Sequence, residues 1–272
     1  MNELQTCVFD IFREVAFVCD KLKIRYYMVC GSALGAIKYK GFIPWDDDID
    51  IGMFREDYER FLREAPRYLP KHLFLQNFHT DKGFSQIFSK VRDSRTTYIE
   101  KSAAHINMHH GVYIDIFPLD GYPKDQREIK NLERKKKIYK FLAESRFKFN
   151  RSYKAEMCTK FVRLFVRGKM IDRILVKYER LISSYDTSNS DLICNHGNWQ
   201  GVLEYSNKEQ YGDGYIAEFE GISVRVPERY DEYLTQKYGD WRSELHVNDQ
   251  VGHHYYCKMD LEKSYTMYMK NK

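Results

Sequence analysis

The sequence predicts an α+β fold: a mixed sheet with flanking helices, a helical insertion and a C-terminal α/β extension. Three observations carry this. Near the N-terminus, Leu4, Val8, Ile11, Val15, Val18 and Leu22 fall on one helical stripe. Short segments that are aromatic and β-branched, or that alternate apolar with acidic residues, then read as strands. Residues 124–186 read as mostly helical, and strand and helix patterns resume after them.

In order along the chain, "RYYMVC" (25–30) is a strand, and "GSALGAIKYK" is a turn opening into a helix with Ser32 near its start. Pro44 stops any helix before the acidic stretch. "DDIDIG" alternates Asp and Ile, the pattern of a strand with one polar face. In "REDYERFLREAPRYL", Tyr58, Phe61, Leu62 and Ala65 make a second helical stripe. "HLFLQN" (72–77), "SQIFSKVRD" (85–93) and "GVYIDIFPLDGYP" (111–123) are further strands, the last placing Asp115 among Val112, Tyr113, Ile114, Ile116 and Phe117. The tail holds short strands ("YIAEFEGISVRVP"), a helix ("ERYDEYLTQKYG") and a histidine-bearing end ("QVGHHYYCKMD"). The expected division is a catalytic core over 1–123 and a part over 124–272 that completes the site.

The chain has 272 residues, 43% hydrophobic and 31% charged, which excludes a disordered polymer and leaves room for a real core. No run approaches the roughly 18 apolar residues of a membrane span. Glu3, Asp10, Arg13 and Glu14 interrupt the N-terminal apolar pattern, so it is an amphipathic helix and not a secretory signal. A cytoplasmic protein is expected. The six scattered cysteines favour reduced thiols. Cys194, His196, His253, His254 and Cys257 are a weak zinc candidate, since their spacing matches no standard finger.

The net charge of +5 hides an asymmetry: residues 127–180 hold 18 Lys/Arg against 6 Asp/Glu, a local +12 that leaves −7 elsewhere. Such a segment is either a solvated helix face or a contact for something anionic, with peripheral docking at the inner face of an anionic membrane the preferred use. Nucleic acid is not an expected partner, because aromatic and basic residues do not alternate there.

"GFIPWDDDIDIGM" (41–53) places Asp46, Asp47, Asp48 and Asp50 within five positions. On a strand, Asp46, Asp48 and Asp50 share a face and Asp47 points away. Mutual repulsion then calls for a cation. Hard carboxylate oxygens suit Mg²⁺ or Mn²⁺, with Asp115 as the third acid from a later strand. Gly31-Ser32 at a helix start suits a phosphate, and Lys38 and Lys40 are either phosphate partners or exposed loop lysines.

Gly31-Ser32 followed by an Asp-x-Asp strand and a third acid resembles the nucleotidyltransferase-fold signature. More specifically, "GSALGAIKYKGFIPWDDDIDIGM" looks like the central block of the LicD family, related to fukutin and the fukutin-related protein. "EDYERF", "GVYIDIFPLDGYP" and "FEGISVRVPERYDEYLTQKYGDW" extend the resemblance over roughly 25–260, although "YGDWRSELHVNDQVGHHYYC" lacks the proline-rich stretch that family often shows. The resemblance implies a nucleotidyltransferase-like core and transfer of a phospho-alcohol from a CDP-activated donor to a glycan hydroxyl. Phosphocholine from CDP-choline is the leading case, and phosphoribitol and phosphoglycerol are alternatives. Teichoic acid, lipopolysaccharide, capsular or lipid-linked glycans would be acceptors. Asp48 and Asp50 would hold the metal on the donor pyrophosphate; Asp115 would complete the site and help deprotonate the acceptor; Asp46 would be a ligand or a supporting group. From the residues themselves, Lys90 and Arg92 lie on a strand that could neighbour the site and contact the donor phosphates, and His253-His254 are either a base or phosphate ligand or a plain C-terminal surface pair. Trp45, Tyr113 and Tyr122 could face a choline ammonium or simply pack in the core. Asp120 is expected to cap the turn at Gly121. The rival enzyme reading is a nucleotidyltransferase joining NMP from an NTP to a small acceptor.

Overall fold

The computed structural model of the chain describes residues 1–148, 153–197, 204–244, 250, 252 and 255–269. Helix α1 spans Glu3–Leu22; Asn2 and Gln5 form a reciprocal cap at its start, and the predicted apolar stripe is its buried face. After β1 (Tyr27–Met28) comes α2 (Cys30–Leu34), continued by one π-helical turn over Gly35–Tyr39. Then follow β2 (Asp50–Phe54), α3 (Arg55–Glu64), β3 (Leu73–Gln76), β4 (Ser89–Asp93), β5 (Thr97–Glu100) and β6 (Tyr113–Tyr122). Three helices, α4 (Gln126–Glu144), α5 (Tyr153–Phe165) and α6 (Lys169–Ile182), occupy the basic segment. The chain closes with β7 (Leu192–Asn195), β8 (Tyr205–Asn207), α7 (Lys208–Tyr211), β9 (Tyr215–Phe219), β10 (Ile222–Val226), α8 (Tyr230–Tyr238) and β11 (Tyr256–Asp260).

The main sheet is mixed, in the order β1-β2-β6-β4-β3, with β7 and β8 added along the second half of β6. Its axis is β6, parallel to β2 and antiparallel to β4 and β7. That position explains its composition: nearly every residue from Tyr113 to Tyr122 is buried, as a strand covered on both faces requires. The hairpin β9–β10 and the antiparallel pair β5–β11, joined from distant parts of the chain, form two small separate sheets.

The fold is α+β, as the sequence predicts. Residues after 123 join the main sheet and its core. They supply β7 and β8 to the main sheet, and Phe219, Val224, Val226, Tyr233 and Leu234 pack into the same cluster as α1 and β6. A smaller cluster joins α4 and α6 to Phe78 and Ile87. Strands β5, β7, β8 and β11 were not expected: they are short, and exposed or polar residues break their alternation. The predicted strand 25–30 is cut to Tyr27–Met28 because Cys30 turns into the left-handed region, φ 54°.

Candidate active site

Local sequence aims β2. Ile49, Ile51 and Met53 are fully buried, which leaves Asp50 and Gly52 on the other face. Register then decides the site. Asp50 pairs with Asp115 across the parallel β2–β6 ladder, and Asp115 pairs with Lys90 across the antiparallel β6–β4 ladder. Side chains in register point to one face, so Asp50, Asp115 and Lys90 form a rank across three neighbouring strands, about 4.8 Å apart per step. Lys90 Nζ lies 2.8 Å from Asp115 Oδ1 and 3.3 Å from the centre of the Tyr113 ring. Burial pushes the Asp115 carboxyl above its ordinary range; Lys90 opposes that, and the charges of Asp48 and Glu100 add to it.

The approach to β2 is held by groups from distant parts of the chain. The Asp50 N–H donates to Ser32 Oγ (2.8 Å), so Ser32 ties the start of α2 to the start of β2. The Cys30 N–H donates to the Tyr233 hydroxyl (3.1 Å), which steadies a left-handed residue just before that helix. A Cβ on Gly31 would meet Asp46 Oδ2 at 2.8 Å, so the glycine makes room for that carboxylate. Burial raises the Tyr238 hydroxyl, and the charges of Cys30, Asp50, Glu204 and Asp46 raise it further. Tyr233 and Tyr238 were missed in the sequence, where nothing separates them from the chain's other tyrosines.

Several expected placements change. Asp48 is not on the strand, which begins at Asp50. The Asp46 N–H closes a turn onto the Ile43 carbonyl (2.9 Å), and Gln5 Nε2 donates to the Asp46 carbonyl (2.7 Å), so residues 46–49 leave strand geometry. Asp47 does not point away from its neighbour: Asp47 and Asp48 line one small cavity with Tyr98 and Tyr113. Asp120 is no turn cap. It lies inside β6, on the face opposite Asp115, and accepts two bonds from Arg55, 2.6 and 2.7 Å, in a buried ion pair.

Arg92 is fully buried and spent on Gln76 Oε1, the Gly111 carbonyl and Glu100, so it braces the sheet and is not open to a phosphate. Lys38 bonds the Ser243 and Trp241 carbonyls and pairs with Glu244, while Lys40 pairs with Glu218 on the surface; both fasten the C-terminal part. Trp45 is half-buried and stands edge-on to Tyr39 at 6.2 Å. Tyr113 is packed under Lys90, and Tyr122 stacks on Tyr205 away from the aspartates. His253 and His254 lie outside the described residues. Of the zinc candidates, Cys194 Sγ is 3.4 Å from His196 Nδ1 on the main sheet, but Cys257 is on β11 and bonds the Ile99 carbonyl.

Among the described residues, no three His, Cys, Asp or Glu side chains are already gathered as a metal-ligand set. The donor chemistry nevertheless fits a hard divalent cation. Asp50 and Asp115 are in register and Asp48 acts on Asp115, which offers oxygen donors alone, while the Lys90 ammonium now compensates Asp115, where a cation would compete with it.

Fold and site together define a mixed-sheet α+β core with carboxylates in register on adjacent strands and a Gly-Ser helix start tied by Ser32 to the first of them. The model of the LicD/FKTN/FKRP nucleotidyltransferase domain matches residues 23–166. The lipopolysaccharide cholinephosphotransferase LicD of Haemophilus influenzae is 30% identical over 263 residues, covering 93% of this chain and 96% of that protein. Ribitol 5-phosphate transferase FKRP of mouse and of human are each 42% identical over 45 residues, 16% of this chain and 9% of theirs. The chain belongs to the LicD family of transferases.

Proposed function

We propose that this protein transfers a phospho-alcohol, in the first place phosphocholine, from a CDP-activated donor to a hydroxyl of a cell-surface glycan precursor. The observation that carries this reading is the Asp50–Asp115–Lys90 rank on three adjacent strands. Family membership and the near full-length match to a lipopolysaccharide cholinephosphotransferase support it. Asp48 and Asp50 would hold Mg²⁺ or Mn²⁺ with Asp115, and the cation when bound would neutralise the donor pyrophosphate. The acceptor oxygen attacks the phosphorus bonded to the alcohol. A new P–O bond forms there, the bridging P–O bond breaks, and CMP leaves with the electron pair. The hydroxyl proton passes to the Asp115 carboxylate, whose affinity for a proton burial has raised. Lys90, freed from Asp115 by that proton, turns its ammonium to the charge developing on the phosphates. Ser32 and Tyr233 hold the Gly31 turn in place beneath the donor. Trp45, adjacent to Asp46, is the aromatic face offered to a choline ammonium. The expected setting is cytoplasmic and peripheral, next to a membrane carrying a lipid-linked acceptor. Among the described residues no helix is long and apolar enough to cross a membrane.

A donor screen with purified protein and Mg²⁺ tests this reading. CMP release should be fastest with CDP-choline, and slower with CDP-ribitol and CDP-glycerol. Release of pyrophosphate from an NTP, with no CMP from any CDP-alcohol, would instead make the protein a nucleotidyltransferase.

A further inference from the structure

Helix α5 is docked by one face and presents the other to solvent. On the docked face, Thr159 is buried, Arg163 donates to the Ser145 carbonyl (2.5 Å) and the Phe147 carbonyl (2.9 Å), and the following Val166 packs on the α4–α6 cluster. The outward face carries Met157, Phe161, Leu164 and Phe165, with exposures of 50, 64, 63 and 63%. Their spacing (i, i+4, i+7, i+8) confines them to a single stripe about 100° wide. Phe161 and Phe165 lie against each other, ring centres 5.1 Å apart. A soluble helix usually turns such a stripe inward; here it is outside.

The surroundings choose the occupant. Exposed Lys160, Arg167 and Lys169 flank the stripe, and among the described residues none of them forms an ion pair. The whole segment 127–180 carries a balance of +12. A protein partner for the phenylalanines alone would not call for this field, whereas an anionic bilayer takes both features at once: acyl chains receive the apolar stripe and headgroups the cations. At 13 residues the helix is far too short to span a bilayer and suits lying in its surface.

We propose that α5 is an in-plane membrane anchor, inserting Phe161, Leu164 and Phe165 at the headgroup–acyl boundary of an anionic lipid surface. This deepens the peripheral setting proposed above, yet its test needs neither donor nor acceptor, so the two can fail separately. Co-sedimentation of the full-length protein with phosphatidylcholine vesicles, and with vesicles also containing phosphatidylglycerol, reads it directly. The wild type should bind the anionic vesicles at low salt and dissociate as salt rises. Phe161→Ser/Phe165→Ser should weaken that binding by about tenfold or more while keeping the positive charge. Both residues are exposed and outside the transfer machinery, so the melting temperature and CMP release with a soluble acceptor should not move. Lys160→Glu/Arg167→Glu should also lose binding. Equal partitioning of wild type and the phenylalanine variant would overturn the proposal, as would a wild type that ignores anionic vesicles. A wild-type dimer that the serine substitutions convert to monomer, with vesicle binding unchanged, would instead assign the stripe to a second copy.

Discussion

Replacing Lys90 by methionine tests the charge rank without touching a carboxylate. The 2.8 Å contact with Asp115 is worth about 6 kcal/mol of direct attraction at an effective dielectric near 20. Much of that only offsets the desolvation of two buried groups. Removing one partner of such a pair costs about 3–5 kcal/mol, because the other charge is left behind. For a chain of this size that is a fall of about 6–20 °C in melting temperature. Methionine keeps most of the apolar stem but also removes the ammonium that stands over the Tyr113 ring, 3.3 Å from its centre, so that contact is lost together with the ion pair. Asp115 can relieve the loss by taking up a proton. Its folded pKa then lies above the unfolded value, so the variant should be least impaired at low pH and lose stability as pH rises through that raised pKa. Thermal denaturation in EDTA and in Mg²⁺ reads the second half of the reasoning. A cation held by Asp48, Asp50 and Asp115 no longer competes with the ammonium, so Mg²⁺ should raise the melting temperature more in Lys90→Met than in wild type. Adding Asp115→Asn should abolish that extra gain. A Lys90→Met protein that melts like wild type in EDTA, or that gains no more from Mg²⁺, would refute the rank as the metal platform.

Three further outcomes are expected. Asp50→Asn, isosteric and half-buried, should reduce CMP release to background and leave the melting temperature within a few degrees; wild-type turnover, or turnover insensitive to chelation, would remove Asp50 and the cation from the reaction. Tyr233→Phe leaves the Cys30 N–H without its acceptor, at a cost of about 1–3 kcal/mol in urea unfolding, with slower turnover because the Gly31 turn loosens. Acid stability should decline early. Burial lowers His109 to about 3 and holds His110 and His196 below their ordinary range, so the unfolded chain takes up protons first as pH falls below about 6.5. Melting curves across pH 4–7 for wild type and His109→Gln should show a flatter dependence in the variant, and parallel curves would show that His109 does not contribute.

What was legible came from periodicity. The stripe Leu4 to Leu22 needed only helical spacing, and it is the buried face of α1. Alternation around Asp50 and Asp115 placed each acid on a strand face opposite its isoleucines, because successive side chains point in opposite directions whatever the neighbours are. The same rule overreached by one turn of chain. It carried the strand back to Asp46, whereas a hydrogen bond from Gln5, 41 residues away, and the turn at Ile43–Asp46 bend those residues off it. Asp120 was misread for a related reason: its partner Arg55 is 65 residues away, and no local pattern announces it.

The sequence by itself determined the chemistry on offer: a concentration of carboxylates framed by buried isoleucines, a Gly-Ser turn ahead of them, and an unbalanced basic segment. Tertiary structure decided which of these groups meet. Register across β2, β6 and β4 put Asp50, Asp115 and Lys90 in line, moved Arg92 from a phosphate contact to an internal brace, and brought Tyr233 beneath Cys30 from 203 residues away. The physical reason is that the period of a strand assigns each side chain a face and nothing more. Its companions on that face are set by hydrogen-bonded pairing between distant segments, and by how the whole core fits together once they pair.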